Sequence, residues 1–292
     1  MVVAVMLGVA GVVGVGVVLL ARRWPVIEAP QVAPATIAEE VDRHPTLRHH
    51  LRRHYDPKKE TGAALIVATA LVLVGAAGVG VLLAMIHSHA GLARLDLRFA
   101  EFGASHATAW STRVLKDVSF LFGGTTMVVV WAVAVTAIEM IRKPSRALPA
   151  FMALVIGGQF VLNNTIKWLV ERSRPDVLRL TSWAGSSFPS GHSCAAAASM
   201  AAFALVLGRG RSRTTKTWLA AVAAGIATCV ACSRVFLGVH WFTDVLAGVL
   251  LGWGWFAVCS IVFGGRLMRF GRPVVEAERV AAAHSPLSPT PR

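Results

Sequence analysis

The chain has 292 residues, of which 55% are hydrophobic and only 15% charged, a composition too apolar for an ordinary soluble domain. Its formal charge of +14 invites a nucleic-acid partner. The cations, however, are gathered in short segments between long apolar stretches, which argues against one.

A helix that spans a bilayer needs about 20 apolar residues. Seven stretches qualify or nearly so, at roughly 2–21, 63–86, 118–141, 148–166, 191–208, 217–236 and 241–263. The expected fold is all-α, a polytopic membrane bundle. Residues 2–21 are Val- and Gly-rich, with Arg22 and Arg23 behind them and no basic residue in front. A secretory signal has the opposite bias, so an uncleaved N-terminal anchor is expected. Residues 22–62 read as a basic linker, with five prolines and with His44, His49, His50 and His54. His50 and His54 are four apart, as metal ligands on one helix face are. No carboxylate or cysteine is placed to complete that set, and a solvated basic face is the reading preferred.

After the span at 63–86, residues 87–117 carry Leu92, Leu95, Phe99 and Phe102 at helical spacing with Arg94, Arg98 and Glu101 between them. This predicts an amphipathic helix at the membrane interface, or one packed on the protein itself. Two spans follow as a hairpin across Arg142–Arg146, and after 263 a polar tail to Arg292 reads as disordered. Cys194, Cys229, Cys232 and Cys259 all fall within predicted spans and are read as small buried hydrophobes, with no structural disulfide. Gly248 and Gly252 predict tight helix packing.

Of the 29 Lys and Arg residues, 20 lie in 22–62, 142–147, 208–217 and the tail from 264, segments that alternate onto one side of the membrane. The positive-inside rule makes that side cytoplasmic, and the basic loops then also contact anionic lipid. The opposite side receives Lys167, Arg174 and Arg234. With His192, His240 and Asp244, these are ionisable groups at or near helix ends in an apolar protein, where each is costly unless paired and is a functional candidate by default.

Their chemistry suits a phosphate ester. Lys167, Arg174 and Arg234 supply fixed cationic donors. Ser190 and Gly191 open a helix whose first N–H groups and dipole favour an anion. His240 and Asp244 are four apart, a spacing that lets the carboxylate orient the ring as a nucleophile. His192 is the second imidazole, suited to acid–base work near neutrality. Arg172 and Arg179 read equally well as contacts to a second phosphate and as solvated loop cations. Trp183, Phe188, Trp241 and Phe242 read as interfacial anchors or as the lining of a lipid groove.

Taken together, Lys167-x6-Arg174-Pro175, Pro189-Ser190-Gly191-His192 and Ser233-Arg234-x5-His240-x3-Asp244 resemble the three-part signature of the type 2 phosphatidic acid phosphatase superfamily, the lipid phosphate phosphatases. The resemblance covers 63–263 and implies a six-helix core, to which 1–21 adds one transmembrane helix, 22–62 a cytoplasmic linker and 264–292 a cytoplasmic tail. It implies phosphoryl transfer without metal or cofactor, with His240 as nucleophile, Asp244 as its partner and His192 as acid. Lys167, Arg174, Ser190, Gly191 and Arg234 would bind phosphate. The implied substrate is phosphatidic acid, phosphatidylglycerol phosphate or a polyprenyl diphosphate, met at the outer face of a bacterial plasma membrane. A phosphotransferase using the same pocket, and a lipid-binding or flipping protein without turnover, remain the alternatives, and the oligomeric state is open.

Overall fold

The computed structural model describes residues 1–23, 57–182 and 184–267. The histidine-rich linker, the polar tail and Trp183 lie outside the described residues. Nine α-helices are described: α1 (Val2–Arg23), α2 (Pro57–His87), α3 (Asp96–Ser105), α4 (Ala109–Gly123), α5 (Thr125–Arg142), α6 (Ala147–Val170), α7 (Gly191–Leu207), α8 (Arg213–Phe236) and α9 (Phe242–Leu267), with a 3₁₀ turn at Gly91–Leu95. Among the described residues five helices are long and apolar enough to cross a membrane, or six if the bent pair Val72–His87 and Gly91–Ser105 is one span. The all-α membrane bundle expected from the sequence is the fold observed.

The centre is α7. It is apolar on every side, as a helix without a solvent face must be, and buries Ala195–Met200, Ala202, Phe203 and Val206. Helices α4, α5, α6, α8 and α9 surround it. Small residues set the spacing. A Cβ on Gly248 would lie 2.5 Å from the Ser190 carbonyl oxygen, and Gly252 faces the Cys194 carbonyl, so the glycine pair draws α9 onto α7. Outermost lie α2, against α9, and α1, against α8. Helix α1 runs antiparallel to α8: Gly14 faces the Ala221 carbonyl and Gly225 faces that of Ala10, while the Arg213 side chain donates to the Ala21 carbonyl at 2.6 Å. The four cysteines are free.

Two expectations need correction. The segment 87–117 is not one amphipathic helix. Helix α3 stops because the His106 ring and the Ser105 hydroxyl both bond to the Phe102 carbonyl, and α4 starts on a Thr108–Ser111 capping box. Phe99 and Phe102 pack on Phe242 and Phe236, while Leu92 and Phe99 remain exposed; the side of α3 that is buried is Asp96, Ala100 and Gly103. The stretch 118–141 is likewise broken, at Gly124, whose extended backbone ends α4 and begins α5; a Cβ there would sit 2.6 Å from the Phe120 carbonyl oxygen.

The end of α1, the α5–α6 turn and the α7–α8 turn lie at one end of the bundle, with Lys143 packed against Gly210. The three motifs lie at the other.

Candidate active site

Each motif occupies an end of a helix. Lys167 is in the last turn of α6, which closes on Glu171 in the left-handed conformation (φ 47°). The chain then crosses the top of the bundle to Ser190, the N-cap of α7. Arg234 is in the last turn of α8. A turn at Gly238 (φ 70°), where a Cβ would approach the Leu178 carbonyl to 2.7 Å, brings His240 back over the site.

His240 and Asp244 do not share a helix face. Asp244 is the third residue of α9 and its Oδ2 accepts the Trp241 N–H at 2.9 Å, one half of a capping box that fixes the helix start after His240. The pair is nevertheless juxtaposed, with His240 Nδ1 3.6 Å from Asp244 Oδ2. On the other side of the ring, Nε2 lies 3.3 Å from Arg174 Nη1. With Nδ1–H turned to the carboxylate, Nε2 keeps its lone pair and faces the cations. Burial pushes the His240 pKa down to about 4, against the raising influence of Asp244, so the ring is neutral at ordinary pH. A neutral imidazole whose Nε2 holds a lone pair, here accepting a long hydrogen bond from Arg174, can act as a nucleophile.

Around it stand the cations. Arg174 threads a cage of carbonyls, donating to Val239 at 2.6 Å, Ala184 at 2.8 Å, and Gly185 and Ser186 at 3.1 Å each. Burial lowers its pKa, opposed by the charge of Asp244, and a guanidinium stays charged regardless. Lys167 Nζ grips the same Ser186 carbonyl at 2.5 Å. Arg234 is 7% exposed, donates from Nη1 to Ser119 Oγ at 3.0 Å, and leaves a buried Nε without a partner among the described residues. A buried guanidinium so incompletely satisfied is costly until an anion arrives. His192, the second residue of α7, lies within the electrostatic reach of Arg234, His240, Lys167 and Arg174.

The anion nest differs in one detail from expectation. The Ser190 N–H donates to the Asp244 carbonyl at 3.0 Å and its hydroxyl accepts from Ser193 at 2.9 Å. The leading N–H groups of α7 are therefore those of Gly191 and His192, which a helix start leaves without intrahelical partners. Gly191 stands against Asn163, whose Oδ1 would be 3.3 Å from a Cβ there. Asn163 Nδ2 is buried; it meets the Cys194 thiol but makes no hydrogen bond of ordinary geometry.

Arg172 is not a solvated loop cation but is paired with two carboxylates. It is 15% exposed, reaches Asp244 Oδ1 at 2.6 Å and Thr243 Oγ1 at 2.8 Å with Nη1, and Asp96 Oδ2 at 2.8 Å with Nη2. Asp96 is 4% exposed and also accepts the Thr243 N–H at 2.8 Å and its hydroxyl at 2.7 Å. Ser187 donates to Asp244 Oδ2. Asp244 is thus held by Arg172, Ser187 and Trp241 while facing His240. Arg179 bonds the Pro175 carbonyl at 2.9 Å. Of the aromatic residues, Phe188 is fully buried against Leu82 and Ala247, and is no interfacial anchor. Trp241 bonds the Ser173 carbonyl at 2.9 Å and lies under Arg172, and Phe242 packs on Phe99. Among the described residues no three His, Cys, Asp or Glu converge as metal ligands do.

Sequence reasoning missed Asp96, Ser119, Asn163, Ser187 and Thr243. Asp96 is an acid at the head of an amphipathic helix, where a capping role is the ordinary reading, and it lies 76 residues from Arg172. Asn163 had a usable signal, being a polar residue one helical turn before Lys167 on a largely apolar helix.

A model of the PAP2 superfamily matches residues 146–267. Phosphatidylglycerophosphatase B of Bacillus subtilis (strain 168) is 32% identical over 174 residues, 59% of this chain and 84% of the relative. The chain belongs to the PAP2 superfamily. Lipid A 1-phosphatase of Rhizobium etli is 34% identical over 40% of this chain and 49% of its own length. Undecaprenyl-diphosphatase of Sulfolobus acidocaldarius is 32% identical over 45% and 62%. The crystal structure of a transmembrane PAP2 type phosphatidylglycerolphosphate phosphatase from Bacillus subtilis superposes with a TM-score of 0.61 at 30% identity, covering 70% of this chain and 98% of that one. This PAP2 protein is therefore an integral membrane phosphatase of the lipid phosphatase class, acting on phosphoric esters.

Proposed function

We propose that this PAP2 protein hydrolyses the terminal phosphomonoester of phosphatidylglycerol phosphate through a phosphohistidine on His240. The observation that carries the reading is the ring of His240, with Nδ1 toward Asp244 and Nε2 toward Arg174, beside Arg234, whose buried Nε has no hydrogen-bond partner among the described residues. Nε2 attacks phosphorus, and the bond from phosphorus to the lipid oxygen breaks. His192 supplies the proton that the leaving oxygen takes. Water then attacks the phosphohistidine and gives its proton to His192, and His240 returns neutral as inorganic phosphate departs. Arg174, Arg234, Lys167 and the Gly191 and His192 N–H groups hold the phosphoryl oxygens as charge grows on them.

A monoester is favoured over a diphosphate because Arg172, the nearest spare cation in the sequence, is committed to Asp244 and Asp96. The extent of similarity to phosphatidylglycerophosphatase B supports the same head group. The collection of cationic turns at the opposite end of the bundle supports a site on the outer membrane face.

The test is phosphate release by purified protein from phosphatidylglycerol phosphate, phosphatidic acid and a polyprenyl diphosphate, without an added acceptor and with excess chelator. The expected result is release of inorganic phosphate, fastest from phosphatidylglycerol phosphate, unaffected by chelator and blocked by vanadate. Preference for the diphosphate would overturn the substrate. Release only with an acceptor would make the protein a phosphotransferase, and activity restored by Mg²⁺ would overturn the metal-free mechanism.

A further inference from the structure

At the end of the bundle away from the motifs, a cavity of about 1000 Å³ opens beside the last turns of α7. Helix α7 runs between the two, so the cavity mouth is about 24 Å from the catalytic histidines. Its inner wall is apolar, formed by Val17 of α1, Leu205 of α7, and Trp253 and Phe256 of α9. Its mouth carries Lys143, Arg209 and Lys216, and no carboxylate lines it. Among the described residues none of these three cations forms an ion pair. Glu139, one turn before Lys143, is buried and bonded to Arg142. Arg209 Nη1 is itself buried and has no hydrogen-bond partner among the described residues. The lining follows α7 from Ala201 to Val206, about 8 Å, and continues into the turn at Gly208–Gly210.

An apolar slot of that depth, beneath three cations without an ion-pair partner among the described residues, complements an amphiphile with an anionic head. Phosphate is the head group that a guanidinium and two ammonium groups hold best. We propose that this cavity binds an anionic diacyl phospholipid from the leaflet opposite the catalytic centre. Its phosphate sits between Lys143, Arg209 and Lys216, and one acyl chain lies against Leu205, Trp253 and Phe256. The site is separate from the phosphatase centre and does not depend on which lipid that centre cleaves.

The experiment is native mass spectrometry of the full chain in detergent, titrated with phosphatidylglycerol or phosphatidylcholine. Phosphatidylglycerol is a phosphodiester, so a phosphomonoesterase leaves it intact during the measurement. One phosphatidylglycerol should bind in preference to phosphatidylcholine, less tightly as salt rises. The charge-removing variant Lys143→Gln/Arg209→Gln/Lys216→Gln should lose about a hundredfold in affinity, roughly fivefold per cation. A second variant, Ala204→Trp, fills the apolar slot and keeps the charges, and should lose binding as well. His240→Ala should bind as the wild type does. Glycerol 3-phosphate should fail to compete, because the head group alone lacks the chain. Equal binding of the two lipids by the wild-type protein would overturn the proposal, and that comparison needs no variant to fold. Retention of phosphatidylglycerol by the charge-removing variant would overturn it too. Loss in His240→Ala would place the lipid in the catalytic site, and competition by glycerol 3-phosphate would make the cavity a site for soluble phosphates.

Discussion

Replacing Asp96 by Asn tests whether the active site extends beyond the three motifs. Asp96 is 4% exposed and accepts three hydrogen bonds, from the Thr243 N–H and hydroxyl and from Arg172, whose other arm reaches Asp244 at 2.6 Å. The amide keeps the shape and one acceptor but turns an NH₂ toward groups that are themselves donors. A hydrogen bond to a charged group contributes about 1.5–3 kcal/mol, and removing one partner of a fully buried ion pair costs about 3–5 kcal/mol. Arg172 is 15% exposed and keeps Asp244, so the lower figures apply. If half or more of about 3 kcal/mol falls on the geometry of Asp244 and His240 at the transition state, kcat drops about 10- to 100-fold, since about 1.4 kcal/mol is tenfold. KM for lipid should stay within about threefold, because Asp96 touches none of the phosphate donors. The loss of a negative charge near the cluster should also shift the acid limb of the pH–rate profile to lower pH, an effect that a purely structural contact would not produce. The assay is steady-state turnover per folded molecule, with folding followed by size-exclusion fluorescence. A double-mutant cycle with Arg172→Met should give a coupling of about 0.5–3 kcal/mol. A variant with kcat within twofold of wild type and an unmoved profile would refute the reasoning.

Four further outcomes follow from the site. Rapid-quench trapping with labelled substrate at high pH should find the phosphoryl group on His240; His192→Ala should slow turnover about 10²–10⁴-fold and still label His240 from an aryl phosphate, whereas label on His192 would reverse the roles. Because burial sets the His240 pKa at about 4, the neutral ring persists above that value, so the limb of kcat/KM that reports His240 should fall as pH drops through the region of pH 4; a His240 limb near 6.5 would mean an exposed ring. Asn163→Ala should raise KM more than it lowers kcat if Nδ2 adds a donor for bound phosphate, and a loss of folding without a change in KM would make it packing alone. A cysteine at exposed Ser182 should react with an impermeant thiol reagent in intact cells, and labelling only after lysis would put the site on the inner face.

How far the sequence carried the reading depends on what each residue answers to. The spans at 2–21, 148–166, 217–236 and 241–263 were legible because the bilayer imposes one length and one polarity on any helix that crosses it. The six ionisable groups were legible for the converse reason: in so apolar a chain each is an exception. What a composition argument cannot see is how an exception is satisfied. Arg172 looked like a spare cation until Asp96 was brought to it from α3, a helix that no motif covers. Ser190 looked like a phosphate donor until its N–H was found on the Asp244 carbonyl. The His240–Asp244 pair was read from helix periodicity, yet His240 precedes α9, and it is the cap made by Asp244 that holds the two together. The same carboxylate therefore starts the helix, receives Arg172 and Ser187, and faces the imidazole at 3.6 Å. Because those tasks share one atom pair, substitutions at Ser187, Arg172 and Asp96 should each act on catalysis through Asp244, and their effects should be strongly non-additive.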